Sequence, residues 1–198
     1  HFIWVSDKDG FYQAFLYDMS GNRINGITQS NADLSDIYGY DETSKTLYYQ
    51  IIAPTPMQRE VYKVSINGKK PVKLSTKEGF NSAQFSPTFD YMSLSYSNIN
   101  TPTSWTLYDR KNKVIRVLED NQKAIDAFKE YKAGQASFFT FTTSEQVQLN
   151  GYWIKPSDFD PNKKYPVFMY LYGGPGSQQV LDRWGGGQAW WFKMIAEH

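Results

Sequence analysis

The sequence predicts a mostly β chain: repeated four-strand units over the first 120 residues, one helix, and then strands of a different kind. Leu16-Tyr17-Asp18, Val61-Tyr62-Lys63 and Leu107-Tyr108-Asp109 recur at intervals of 45 and 46 positions, close to the roughly 40 to 50 residues of a propeller blade. Around each tyrosine, short segments of alternating apolar and polar residues are separated by turn signals, four strands to a unit, which is how a blade is built. The chain is also rich in Tyr, Phe and Thr, residue types that suit a pleated surface packed against a core.

Taken in order, Ala14 to Tyr17, Glu60 to Ile66 and Trp105 to Asp109 are the strands that carry the repeating tyrosine. Each is followed by a turn, at Ser20-Gly21-Asn22, Asn67-Gly68 and Lys111-Asn112-Lys113, where residues tolerant of tight backbone geometry cluster. A closing strand follows each turn, at Arg23 to Thr28, Pro71 to Thr76 and Val114 to Leu118. Tyr38 to Gln50 and Gln84 to Tyr96 supply the other half of a blade as strand, turn, strand. This amounts to two complete blades and part of a third. A stack of so few blades leaves its two outer faces uncovered, so the chain is expected to take cover from another molecule or from more of its own polypeptide. Pro54 to Arg59 and Ile99 to Ser104 read as loops; Arg59 is placed either to meet a peptide carboxylate in a central channel or to stand in solvent.

Asn121 to Lys132 reads as a helix that marks a boundary. Asn121 is a suitable N-cap, Ala124, Ile125 and Phe128 share a face with Tyr131 beside it, and Gly134 is placed to terminate it. This face is expected to pack between domains. Phe138 to Thr142 and Val147 to Ile154 then form a hairpin-like pair around Ser144-Glu145-Gln146. Pro156 to Lys164 is polar. Pro166 to Tyr172 is short, apolar and aromatic, and reads as a buried strand that Gly173, Gly174, Pro175 and Gly176 end abruptly. Near the end, Trp190, Trp191, Met194 and Ile195 read as one face of a helix.

A strand that runs into such a turn sets its last side chain at the carboxyl end of a sheet, where open α/β sheets keep their ligands. Tyr172 is therefore aimed at a site. Its phenol is either a neutral hydrogen-bond donor to a reacting group or the polar tip of a residue packed at a strand end, and spacing alone leaves both readings open.

The 21 basic and 20 acidic residues, net +1, are interspersed along the chain, which excludes the basic stripe that nucleic-acid binding requires. With no cysteine, disulfides and thiolate metal sites are excluded while the compartment stays open. No apolar run is long enough to cross a bilayer as a helix. The chain starts with a strand already under way at His1 and stops within a helical pattern at His198, and it reads as part of a longer protein.

The run NGYWIKPSDFDPNKKYPVFMYLYGGPGSQQVLDRW, Asn150 to Trp184, resembles the opening of the catalytic domain in the prolyl oligopeptidase family of serine peptidases, in its dipeptidyl peptidase IV branch. VLEDNQKAIDAF, Val117 to Phe128, resembles the end of that branch's propeller and the linker after it. The resemblance implies that residues 1–120 are part of a β-propeller, 121–134 a linker helix, and 135–198 the N-terminal part of an α/β hydrolase domain. It also implies that Tyr172 donates its hydroxyl to the oxyanion of the tetrahedral intermediate, while the triad serine, aspartate and histidine lie outside this chain. The parent enzyme would release dipeptides from peptides with proline or alanine second. It would need no cofactor or metal, be a homodimer, and work in the periplasm, as a secreted protein or anchored to a membrane.

Within the chain the rest of the machinery is missing. No G-x-S-x-G occurs; Ser177, in Gly174-Pro175-Gly176-Ser177-Gln178, lacks the second glycine. His198 precedes the place of a nucleophile, the wrong order for the general base, and His1 sits in a propeller strand. The pair of glutamates with which this branch binds a substrate's amino terminus is not identifiable. Two other readings stand beside the first: a non-catalytic propeller module, and a tripeptidyl or acylaminoacyl peptidase of the same family.

Overall fold

The computed structural model describes residues 1–174 and 177–198. They fall into two units, one of His1–Ser97 with Thr103–Asp120, the other of Asn98–Pro102 with Asn121–His198.

Three sheets make up the first unit. β1 (Phe2–Ser6), β2 (Gln13–Tyr17) and β3 (Arg23–Gly26) form a three-stranded sheet in that order. β4 (Leu34–Asp41), β5 (Thr46–Ile51), β6 (Glu60–Ser65) and β7 (Val72–Lys73) form the second. β8 (Phe80–Phe85), β9 (Tyr91–Asn98), β10 (Thr101–Asp109) and β11 (Val114–Glu119) form the third. Tyr17, Tyr62 and Tyr108 all lie on the next-to-last strand of their sheet, which explains the spacing of the repeat.

β5 shows why the alternating pattern produces this stack. Leu47, Tyr49 and Ile51 enter one core with Ala14, Ile27, Leu34 and Val64. Tyr48, pointing to the opposite face, enters a second core with Val61, Leu74, Ala83, Met92 and Leu94. Successive side chains of a strand alternate between faces, so a strand with apolar residues on both faces is covered on both. Burying each such side chain contributes about 1.5–3 kcal/mol. Gln50, buried on this strand, is partnered at both ends of its amide: it donates from Nε2 to the Asn81 carbonyl at 2.6 Å and accepts from the Ser35 hydroxyl at 2.7 Å. Arg110 joins the second and third sheets through Asp41 at 3.4 Å and Asp90 at 3.1 Å. The outer strands, in contrast, leave Phe2, Trp4 and Val5 of β1 and Val114, Ile115, Val117 and Leu118 of β11 exposed.

Two phenols of the second sheet make this unit sensitive to alkali. Burial raises the Tyr49 phenol above its ordinary value. Burial, reinforced by the hydrogen bond to Glu60 and that residue's charge, pushes Tyr62 up to about 12. Both folded-state values exceed the unfolded one, so their contribution to stability is complete below about pH 10 and is lost as pH rises toward the folded values. We expect the urea midpoint to fall between about pH 10 and about pH 12 and Tyr62→Phe to flatten that fall. A variant whose midpoint falls as steeply as the parent's would remove Tyr62 as a cause.

In the second unit, β12 (Ala136–Thr142) and β13 (Gln148–Ile154) pair antiparallel, Ala136 opposite Ile154 and Thr142 opposite Gln148. Helix α1 is Gln122–Glu130, shorter at both ends than the sequence suggests. Asn121 does occupy its N-cap, but in a left-handed conformation and with no side-chain capping hydrogen bond. The left-handed residue after the helix is Lys132, φ 49°, not Gly134. Phe128 stacks on Trp190 and meets Trp184 edge-on, with Tyr131 edge-on to Trp190. The apolar face of α1 is thus satisfied inside this unit.

Helix α2 is Gly187–Ala196. Its inward side differs from the expected one: Trp191 and Met194 are exposed, while Lys193 is only 2% exposed. Pro166 to Tyr172 is not a strand, and it is not buried. Among the described residues no strand lies alongside to form a ladder with it. The apolar alternation survives as a one-sided contact: Phe168 and Tyr170 rest on Trp191 and Phe192 of α2, whereas Val167, Met169 and Leu171 stand 84%, 74% and 67% exposed.

Candidate active site

Tyr172 follows Phe168 and Tyr170 by the two-residue step that keeps extended-chain side chains on one face. It lies past the last contact with α2 and is 58% exposed. Among the described residues its hydroxyl has no hydrogen-bond partner. Of the glycines after it, neither Gly173 nor Gly174 has a positive φ; Pro175 and Gly176 lie outside the described residues. Gly174 has a different reason to be glycine. A Cβ there would lie 2.6 Å from Cε1 and 2.8 Å from the hydroxyl oxygen of Tyr172, while one at Gly173 would meet nothing within 4 Å.

Lys193 of α2 and Glu197, its C-cap residue, bind the chain on either side of the β12–β13 hairpin. Lys193 donates from Nζ to the Gly134 carbonyl, and burial lowers its pKa below the usual lysine value despite the nearby Glu197 charge. Glu197 accepts the Gly134 N–H at 3.0 Å and the N–H and hydroxyl of Ser157 at 2.8 Å each. Burial alone would raise its pKa, but these hydrogen bonds hold it below the ordinary glutamate value. Gly134 and Ser157 flank the β12–β13 hairpin, so α2 fastens the base of the hairpin with one side and carries Phe168 and Tyr170 on another. At the same base, Asn100 pairs with Ala136 in both directions, at 2.8 and 2.9 Å, and Asp182 accepts the Ile99 N–H at 3.0 Å. Sequence reasoning missed Lys193. The signal was its place between Phe192 and Met194 in a helix apolar on most sides, where one charged residue must either be paired or be buried with a partner.

Tyr170 also lines a cavity of about 230 Å³ with Tyr152, Gln178, Arg183 and Lys193, among others; Tyr172 is not part of it. Burial, with the neighbouring Tyr170, raises the Tyr152 phenol. Ser177 lines the cavity too, and its hydroxyl accepts from Gln179 at 2.7 Å. No histidine is among the described residues that line the cavity. Arg59 does not stand in open solvent: it donates to the Pro56 and Gln58 carbonyls at 3.0 and 2.8 Å and lies over Phe80.

Residues 1–103, slightly more than half of the chain, match the family model of the dipeptidyl peptidase IV (DPP IV) N-terminal region. The chain belongs to the dipeptidyl peptidase IV family. Its propeller-like sheets followed by the hairpin and helix are those of that family: a crystal structure of Porphyromonas gingivalis dipeptidyl peptidase 4 superposes with a TM-score of 0.89 at 38% identity, over 99% of this chain and 28% of the other. A putative dipeptidyl aminopeptidase IV from Bacteroides ovatus, 23% identical, shares the fold with a TM-score of 0.82 over 98% of this chain and 30% of its own. Dipeptidyl peptidase 4 of Arthroderma otae is 31% identical over 93% of this chain, and that of Trichophyton rubrum 30% over the same share. The chain spans about a quarter of the length of these fungal relatives, 24% in both cases.

Proposed function

We propose that this chain is part of a serine exopeptidase that releases N-terminal dipeptides from peptides with proline or alanine second, and that Tyr172 supplies a hydrogen bond to the oxyanion. The observation that carries the reading is the state of Tyr172 in a chain of this family: exposed at the end of the KYPVFMYLYGG segment, with a hydroxyl that no described residue engages. When a serine adds to the scissile carbonyl, negative charge collects on the oxygen. A neutral phenol placed there in advance strengthens its hydrogen bond as that charge grows and so favours the transition state over bound substrate. The serine, the histidine that takes its proton and the aspartate that orients the histidine belong to parts of the enzyme outside this chain. The same resemblance supports a homodimeric parent that acts in the periplasm, as a secreted protein or on a membrane.

Product analysis tests the reading. The full-length protein, given peptides that begin Xaa-Pro or Xaa-Ala, should release dipeptides detectable by mass spectrometry, and residues 1–198 alone should leave a Gly-Pro chromogenic substrate intact. Tripeptide products or released acylamino acids would assign it to another branch of the family. Complete inertness of the full-length protein would favour a non-catalytic propeller module.

A further inference from the structure

Two adjacent glycines follow Tyr172, and the structure treats them differently. Neither is used for a left-handed turn. Gly173 faces open space, where a methyl group would meet nothing within 4 Å. At Gly174 the space a methyl group would take is already filled by the Tyr172 side chain, with Cε1, the hydroxyl oxygen and Cζ at 2.6, 2.8 and 2.9 Å from the Cβ position. The local geometry explains this. In an extended segment, residues two apart share a face, so a ring at 172 that leans along the chain comes to lie over position 174. Real Cβ atoms do not approach other heavy atoms this closely, so any side chain at 174 displaces the ring.

We propose that Gly174 is a positioning residue for Tyr172: its missing side chain lets the phenol lie against position 174 and so fixes where the hydroxyl is presented. This rests on the oxyanion role proposed above for Tyr172. Gly174 itself touches no reacting atom; it acts through the ring. Its effect therefore belongs to the placement of one hydroxyl, and it must vanish when that hydroxyl is absent. A hydrogen bond made chiefly in the transition state registers in kcat with little change in KM, and misplacing a catalytic group by about 1 Å costs about 100-fold.

The test is a kinetic cycle in the full-length peptidase with a Gly-Pro chromogenic substrate. Gly174→Ala should lower kcat about 100-fold with KM nearly unchanged, Gly173→Ala should keep wild-type kcat, and Gly174→Ala combined with Tyr172→Phe should be no slower than Tyr172→Phe alone. If Gly174→Ala does not fold, Gly174→Ala with Tyr172→Ala, which removes the ring the methyl group meets, should restore folding; failure to do so overturns the proposal. Losses that multiply in the Gly174→Ala, Tyr172→Phe pair also overturn it, because Gly174 would then act independently of the hydroxyl. A damaging Tyr172→Phe beside a harmless Gly174→Ala overturns the positioning role and leaves the oxyanion role standing. A harmless Tyr172→Phe overturns both.

Discussion

Replacing Tyr172 by phenylalanine in the complete enzyme should lower kcat by about 100- to 1000-fold, the usual effect of losing one oxyanion donor. The substitution removes a single oxygen atom from a side chain that is largely exposed and whose hydroxyl bonds to no described residue. It therefore deletes no internal contact, and the unfolding midpoint should stay where it is. KM should change little, because a hydrogen bond that matures only as the carbonyl oxygen becomes charged adds little to ground-state binding. The combination of lost turnover with preserved stability and KM is what separates a catalytic phenol from a packing one. Unchanged kcat would return Tyr172 to the role of a surface tyrosine.

The largest stability effect is expected at Gly134. A Cβ there would fall 1.8 Å from the Lys155 carbonyl oxygen, a backbone atom that cannot swing aside as a side chain does. The same residue offers its N–H to Glu197 and its carbonyl to Lys193, so any shift that relieves the clash also pulls on both hydrogen bonds. Gly134→Ala should then cost about 3 kcal/mol or more, at the top of the range for overpacking, read as a lower midpoint in chemical denaturation. Gly187, the first residue of α2, is the control. A methyl group there meets nothing within 4 Å, and Gly187→Ala should be neutral or slightly stabilising, since alanine has less backbone freedom to lose. Equal effects at the two positions would mean that the close approach to Lys155 is not what makes Gly134 a glycine.

What could be read from the sequence follows the range of the forces involved. The strands of the first unit were legible because alternation and turn chemistry are local, and because blades repeat, so that Tyr17, Tyr62 and Tyr108 report one structural position three times. The Phe138 to Ile154 hairpin was legible for the same reason, its partners being joined by a short turn. Pro166 to Tyr172 carries the composition of a buried strand, but a ladder depends on a neighbour that composition does not contain. Its residues instead find α2, on one side only. The ends of α1 were misjudged where propensity and tertiary demand compete: Gly134 is the better helix terminator, yet Lys132 takes the left-handed place, while Gly134 is glycine at its close approach to the Lys155 carbonyl. As to the site, Tyr172 stood out by its position before the glycines. Lys193 and Glu197, which fasten the base of the β12–β13 hairpin, did not, because a lysine and a glutamate one turn apart ordinarily signify a solvent-facing helix edge.

The fastening of Gly134 by α2 also bears on the order in which this region can form during synthesis. Lys193 and Glu197 follow Gly134 by 59 and 63 residues, whereas β12 and β13 are consecutive in the chain and pair through a short turn. A growing polypeptide therefore presents a complete hairpin whose base stays untied until some forty further residues have left the ribosome, at about 5–20 residues per second. Until then the Gly134 amide and carbonyl lack the partners that Lys193 and Glu197 supply, so the base of the hairpin should gain protection against amide exchange later than its ladder does.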